Sequence, residues 1–159
     1  MGAMPVGDDA SFARFLKIQY ASREFLDAGF AEQELDFLGS PPSQLELLGR
    51  DLATLGHEPM HAHGGASFVS PAAALGAAWV ISGSSMGNRA MLTQRRKLGR
   101  EHADAFLADH RMPAYFRSLL PLLTGEFDST EQDQMIDGAT LAFTVFLDVL
   151  ARSELKEAA

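Results

Sequence analysis

The chain contains no cysteine, which removes disulfides, thiolate metal sites, iron–sulfur clusters and every cysteine-nucleophile mechanism at once. Basic residues are scarce: 13 Lys and Arg stand against 21 Asp and Glu, a net charge of −8 over 159 residues. Binding nucleic acid takes a basic surface that neutralises phosphates, so no nucleic-acid partner is expected. Nothing alternates with period two for long enough to make a sheet, and no Gly-x-Ser-x-Gly elbow, Walker loop or dinucleotide fingerprint is present. The N-terminus lacks the basic and apolar regions of a signal peptide, which fits a cytoplasmic setting. Residues 1–9 read as an N-terminal extension whose first residues, Met1-Gly2-Ala3, look like a cloning remnant before a native start at Met4. Residues 10–159 read as one helical domain. A run of 25 residues from Gly64 to Asn88 carries no charge, but Pro71 and repeated glycines and serines within it point to a buried helix of a soluble protein, and no membrane is expected.

What is present is helical periodicity. Phe12, Phe15, Leu16, Tyr20, Phe25 and Leu26 recur mostly at spacings of three and four and predict a first helix closed by Gly29 as a C′ glycine. Ser43-Gln44-Leu45-Glu46 has the form of a capping box and opens a second helix through Leu48, Leu52 and Leu55, ending at Gly56. The segment 56–70 reads as a loop. Ser70-Pro71 then supplies an N-cap and a proline at the first helical position, ahead of an alanine-rich helix. That helix meets Gly83 and Gly87, four residues apart, and helical character resumes through Arg89-Ala90-Met91-Leu92. A short helix around Ala105-Phe106-Leu107 follows, then one over Pro113–Leu123 interrupted at Pro121. The last is expected to start at Ser129-Thr130-Glu131-Gln132 and to bury Ile136, Ala139, Phe143, Phe146, Leu147 and Leu150. Six or seven helices in one all-α bundle result.

Chemistry-bearing residues are sparse. His57, His61 and His63 cluster, and Glu58-Pro59-Met60-His61 has the Glu-x-x-His form of di-iron bundles. Those sites need two such motifs on inward-facing helices, however, and one copy in a proline-containing loop reads as a solvated histidine loop. His102 and His110 read as surface or capping residues. Gly83 and Gly87 each cost a helix roughly 0.5–1 kcal/mol relative to alanine, so the pair implies a kink, close packing or a flat ligand against bare backbone. Arg89, Arg95, Arg96, Lys97 and Arg100 put five of the 13 basic residues into the positions just beyond it. They either hold the anionic groups of such a ligand or complement the helix dipole and neighbouring acids.

The run from Ala74 to Gly87, with Trp79-Val80-Ile81-Ser82-Gly83-Ser84-Ser85-Met86-Gly87 at its centre, resembles the distal-helix signature of bacterial, biliverdin-producing heme oxygenases of the phytochrome-associated type. Phe12–Leu26 looks like that family's second helix, Gly49–Gly56 like its Asp-Leu-x-x-Leu-Gly helix end, and Gly138–Phe143 like its closing helix. The resemblance implies a heme-oxygenase-like bundle with a glycine-kinked distal helix. It also implies cofactor contacts from Gly83, Ser84, Gly87, Asn88 and Arg89, with Arg117 of Phe116-Arg117-Ser118 facing the propionates. The sequence departs from the family at Ser82, where a glutamate is usual, and at Asn88, where a glycine is usual. The proximal ligand histidine of the family lies on a helix before the equivalent of Phe15. Only fourteen residues precede Phe15 here and none is histidine. The expectation is therefore a degenerate module without the oxygenase reaction, acting in ligand binding or protein–protein regulation. Its ligand would be a tetrapyrrole such as heme or another flat anion, and the apolar area uncovered by the lost helix would be closed by a homodimer or a partner protein's helix. The alternative is an active heme oxygenase, cleaving heme to biliverdin with His57, His61, His63, His102 or His110 as a substitute ligand or with one borrowed from a partner chain.

Overall fold

A computed structural model describes residues 6–33, 35 and 38–159. Among the described residues seven α-helices follow one another: α1 (Asp9–Ala31), α2 (Leu45–Thr54), α3 (Pro71–Gly83), α4 (Asn88–Lys97), α5 (Ala105–Ala108), α6 (Arg111–Leu123) and α7 (Ser129–Ala158). A 3-10 turn over Ser84–Gly87 joins α3 to α4. No strand occurs among the described residues, so the chain is all-α. Residues 1–5, which include the Met1–Met4 segment, lie outside the description. The folded domain reaches back at least to Val6, which is buried, and Asp8 caps α1 by accepting from the Ser11 N–H at 2.8 Å.

Two apolar clusters hold the bundle. One gathers Leu26 and Phe30 of α1, the alanines and Ile81 of α3, Tyr115 and Leu119 of α6, and Ala142, Val145 and Val149 of α7. The other packs Phe12, Ala13 and Leu16 of α1 against Leu48 and Leu52 of α2 and Phe106 and Leu107 of α5. At the centre of the first, α3 and α7 approach backbone to backbone. A Cβ on Gly76 would overlap the carbonyl oxygen of Met135, and one on Gly138 would overlap that of Ala73.

This close approach overturns most of the expected face of α7, of which Ala139 and Phe146 alone pack, partly buried, against the core. Its buried residues are Gly138, Ala142, Val145, Val149 and Ser153. Ile136 is 63% exposed, Phe143 56%, Leu147 63% and Leu150 37%. Small residues win the interior because helices this close leave no volume for large ones. By length and composition α7 is also apolar enough to cross a membrane, with 22% of its most apolar window buried.

Several helix ends differ from expectation. Gly29 lies inside α1, where a Cβ would stand 2.7 Å from Cε2 of Phe68 and 2.9 Å from the Ala66 methyl, so this glycine serves packing. Ser43 makes no capping box: Gln44 occupies the N-cap, and the Ser43 hydroxyl donates to Asp27 at 2.8 Å. The box that opens α7 is one residue earlier than expected, between Asp128 and Glu131. Pro121 lies within the last turn of α6, which runs on to Leu123. The Ser70 cap and Pro71 stand as expected. So does Gly56, with φ +77°, where the His57 N–H bonds Leu52 and the Gly56 N–H bonds Ala53 in a Schellman pattern.

Candidate functional site

The glycine segment sits where α1, α3, α6 and α7 meet. Successive serines there bond back to the preceding turn: Ser82 donates to Ala78 O at 2.5 Å, Ser84 to Ile81 O at 2.7 Å and Ser85 to Ser82 O at 2.6 Å. These bonds compete with the helix ladder and accompany the tighter 3-10 turn. Gly83 leaves room for the ring of Phe116, which a Cβ would meet at 3.3 Å.

Beside Gly83 opens an apolar hollow of about 500 Å³, lined by Gln19, Trp79, Val80, Gly83, Ser84, Phe116, Phe143 and Phe146. Four aromatic side chains from three helices form its walls. Trp79 is the sole tryptophan and is 42% exposed.

The expected contact residues divide. Gly83 and Ser84 line this hollow. Arg89 and Arg117 line a different depression of about 550 Å³, with Arg96 and His110. Gly87 is exposed with nothing within 4 Å of a built Cβ, and Asn88 is buried at 6% exposure. The basic cluster is largely engaged within the fold. Arg95 is fully buried over the Phe12 ring at 3.7 Å and pairs with Asp9 at 3.4 Å. Arg100 reaches Asp9 at 2.9 Å, and Arg96 reaches Asp104 at 3.0 Å. Burial pushes the Asp9 carboxyl up, but bonds from His102 and Arg100 outweigh it and hold Asp9 below its ordinary value.

None of the five histidines faces the hollow. His57, His61 and His63 are exposed, with His61 against Glu24 at 3.0 Å. His102 pairs with Asp9 at 3.1 Å. Among the described residues, no group of three or more His, Asp and Glu is arranged to hold a metal ion.

Sequence reasoning missed Arg23. Its side chain is buried behind the hollow at 2% exposure, its Nε donating to Gln19 Oε1 and its Nη2 to Ser84 Oγ, both at 3.1 Å. The signal was legible in the spacing, because Phe12, Leu16, Arg23, Leu26 and Phe30 share one stripe of α1 and a charge interrupts it. Gln19 was missed as well, since only tertiary packing brings it to Ser84. A search of family models and of curated proteins returns no match to this chain.

Proposed function

We propose that the chain is a degenerate heme-oxygenase-like module that binds a flat, apolar, anionic molecule of the tetrapyrrole class without turning it over. One observation carries this reading: the hollow beside Gly83 has aromatic walls and no iron ligand. Porphyrin iron in proteins is held by imidazole, thiolate, thioether or phenolate groups. The lining residues supply none of these, so heme does not fit as a resident catalytic cofactor. A flat macrocycle gripped by Trp79, Phe116, Phe143 and Phe146 does fit, and the turn at Ser84–Gly87 is read as the counterpart of the family's distal bend. The alternative, an active heme oxygenase producing biliverdin, needs an imidazole that this chain does not bring to the hollow.

The exposed stripe of Ile136, Phe143, Leu147 and Leu150 supports a second element of the proposal, association with another copy of the chain or with a partner protein's helix. Because the opposite face of α7 is locked to α3 at Gly138, we read α7 as a bundle helix and the protein as cytoplasmic.

Trp79 reports on the hollow directly. Titration with protoporphyrin IX, with and without iron, should quench its fluorescence saturably at one equivalent and with similar affinity in both cases. Gly83→Leu, which fills the space against Phe116, should weaken binding tenfold or more. No saturable quenching, or quenching unchanged by Gly83→Leu, would reject the hollow as a binding site.

A further inference from the structure

Among the described residues, Arg23 is a buried cation with no counter-ion beside it. Among the described residues no carboxylate lies within ion-pair distance of it, and its Nη1 has no hydrogen-bond partner. Asp27 and Asp109 act on it only at longer range, since Asp27 accepts from Ser43 at 2.8 Å and Asp109 from Arg111 at 2.9 Å and Gln44 at 2.9 Å. Burial pushes the guanidinium down to about 10, which still leaves it charged at neutral pH. The ring of Phe106 lies 5.1 Å from it and offsets part of the cost. A charge taken out of water without a partner is expensive, and proteins commonly resolve such a charge by pairing it.

The orientation of Arg23 adds direction. The Nε and Nη2 edge, which engages a carboxylate side-on through two parallel bonds, is held by two neutral acceptors, Gln19 and Ser84. Both of those residues line the hollow, and Ser84 is exposed. Apart from the indole N–H of Trp79, they are the only polar side-chain groups in a lining that is otherwise aromatic, valine and glycine.

We propose that Arg23 is the anion anchor of the hollow: a ligand enters apolar body against Trp79 and Phe143 with one carboxylate turned inward, displacing Gln19 or Ser84 from the guanidinium edge. This rests on the reading of the hollow as a binding site and narrows its ligand to an apolar molecule with a carboxylate at its buried end. Arg89 and Arg117, which face a separate depression, take no part.

The test uses pyrene-1-carboxylate and its carboxamide, equal in shape, with binding read by energy transfer from Trp79. The wild-type chain should bind the carboxylate at least tenfold tighter than the amide. Arg23→Met, which keeps an apolar stem in the core, should bind the two alike, and Arg89→Ala should keep the wild-type preference. The Arg23 Nε–H resonance of the wild-type chain should move with the carboxylate and stay in place with the amide, a readout that stands even where Arg23→Met does not fold. Equal affinity for both probes together with an unmoved resonance overturns the anchor and leaves the hollow standing as a site. Failure of both probes to bind overturns the anchor and the hollow together.

Discussion

Gly76 and Gly138 let two helices touch through their backbones, and no side chain larger than hydrogen fits at either position. Gly76→Ala should therefore destabilise by about 3 kcal/mol or more in chemical denaturation, as overpacking against backbone cannot relax by a rotamer change. Gly87→Ala, where a Cβ meets nothing, should be neutral or stabilising by up to ~1 kcal/mol. Equal effects at the two sites would contradict the packing described. Asp9 gives a pH-dependent counterpart, since it joins α1 to Arg95, Arg100 and His102. Its folded value lies below the ordinary 3.8, so its contribution is fully present above 3.8 and fades as pH falls through the depressed value. The difference in melting temperature between wild type and Asp9→Asn should shrink over that acid window; a difference unchanged down to pH 2 would contradict it. At this scale the sequence was least informative. Of the two readings of Arg95 and its neighbours, a ligand's anions or nearby acids, the ion pairs to Asp9 and Asp104 favour the second, while the burial of Arg95 over Phe12 was not foreseen, because a guanidinium stacks where its stem is buried.

At the scale of elements, six or seven helices were legible from apolar spacing and punctuation by glycine and proline, and seven occur among the described residues. Their ends were less so. Ser43-x-x-Glu46 and Ser129-x-x-Gln132 both have the form of a capping box, but the N-cap hydrogen bond at α7 comes from Asp128, and Ser43 is drawn to Asp27. Asp128→Ala should cost about 1 kcal/mol, while Ser129→Ala should change thermal stability by less than half of that. The face of α7 was misread for a physical reason. This helix has two apolar faces, one bulky and one small, and burial rank favours the bulky one only when neighbours keep an ordinary distance. Gly76 against Met135 and Gly138 against Ala73 remove that condition. The hollow was partly legible: Trp79, Gly83, Ser84, Phe116 and Phe143 all drew attention, whereas Gln19 and Arg23 come from α1 and meet them only in the folded chain.

At the scale of the whole molecule, the bundle leaves a continuous apolar stripe in water along α7, next to an aromatic hollow. A molecule of this size does not usually expose such a surface unless something covers it. Sedimentation over a wide concentration range should reveal self-association, and Leu147→Glu, fully compatible with an exposed position, should return the chain to monomer without lowering its melting temperature. A wild-type monomer at all concentrations would assign the stripe to a different partner. Central to the proposal is that the hollow, whose lining has no histidine, takes up a ligand without turning it over. The most direct measurement adds a chemical reductant and air to the chain mixed with one equivalent of hemin and follows the porphyrin absorption band. The account predicts that the band persists at the rate of its slow decay in a protein-free control. Accelerated loss of the band with appearance of a linear tetrapyrrole, sustained over several equivalents, would contradict it.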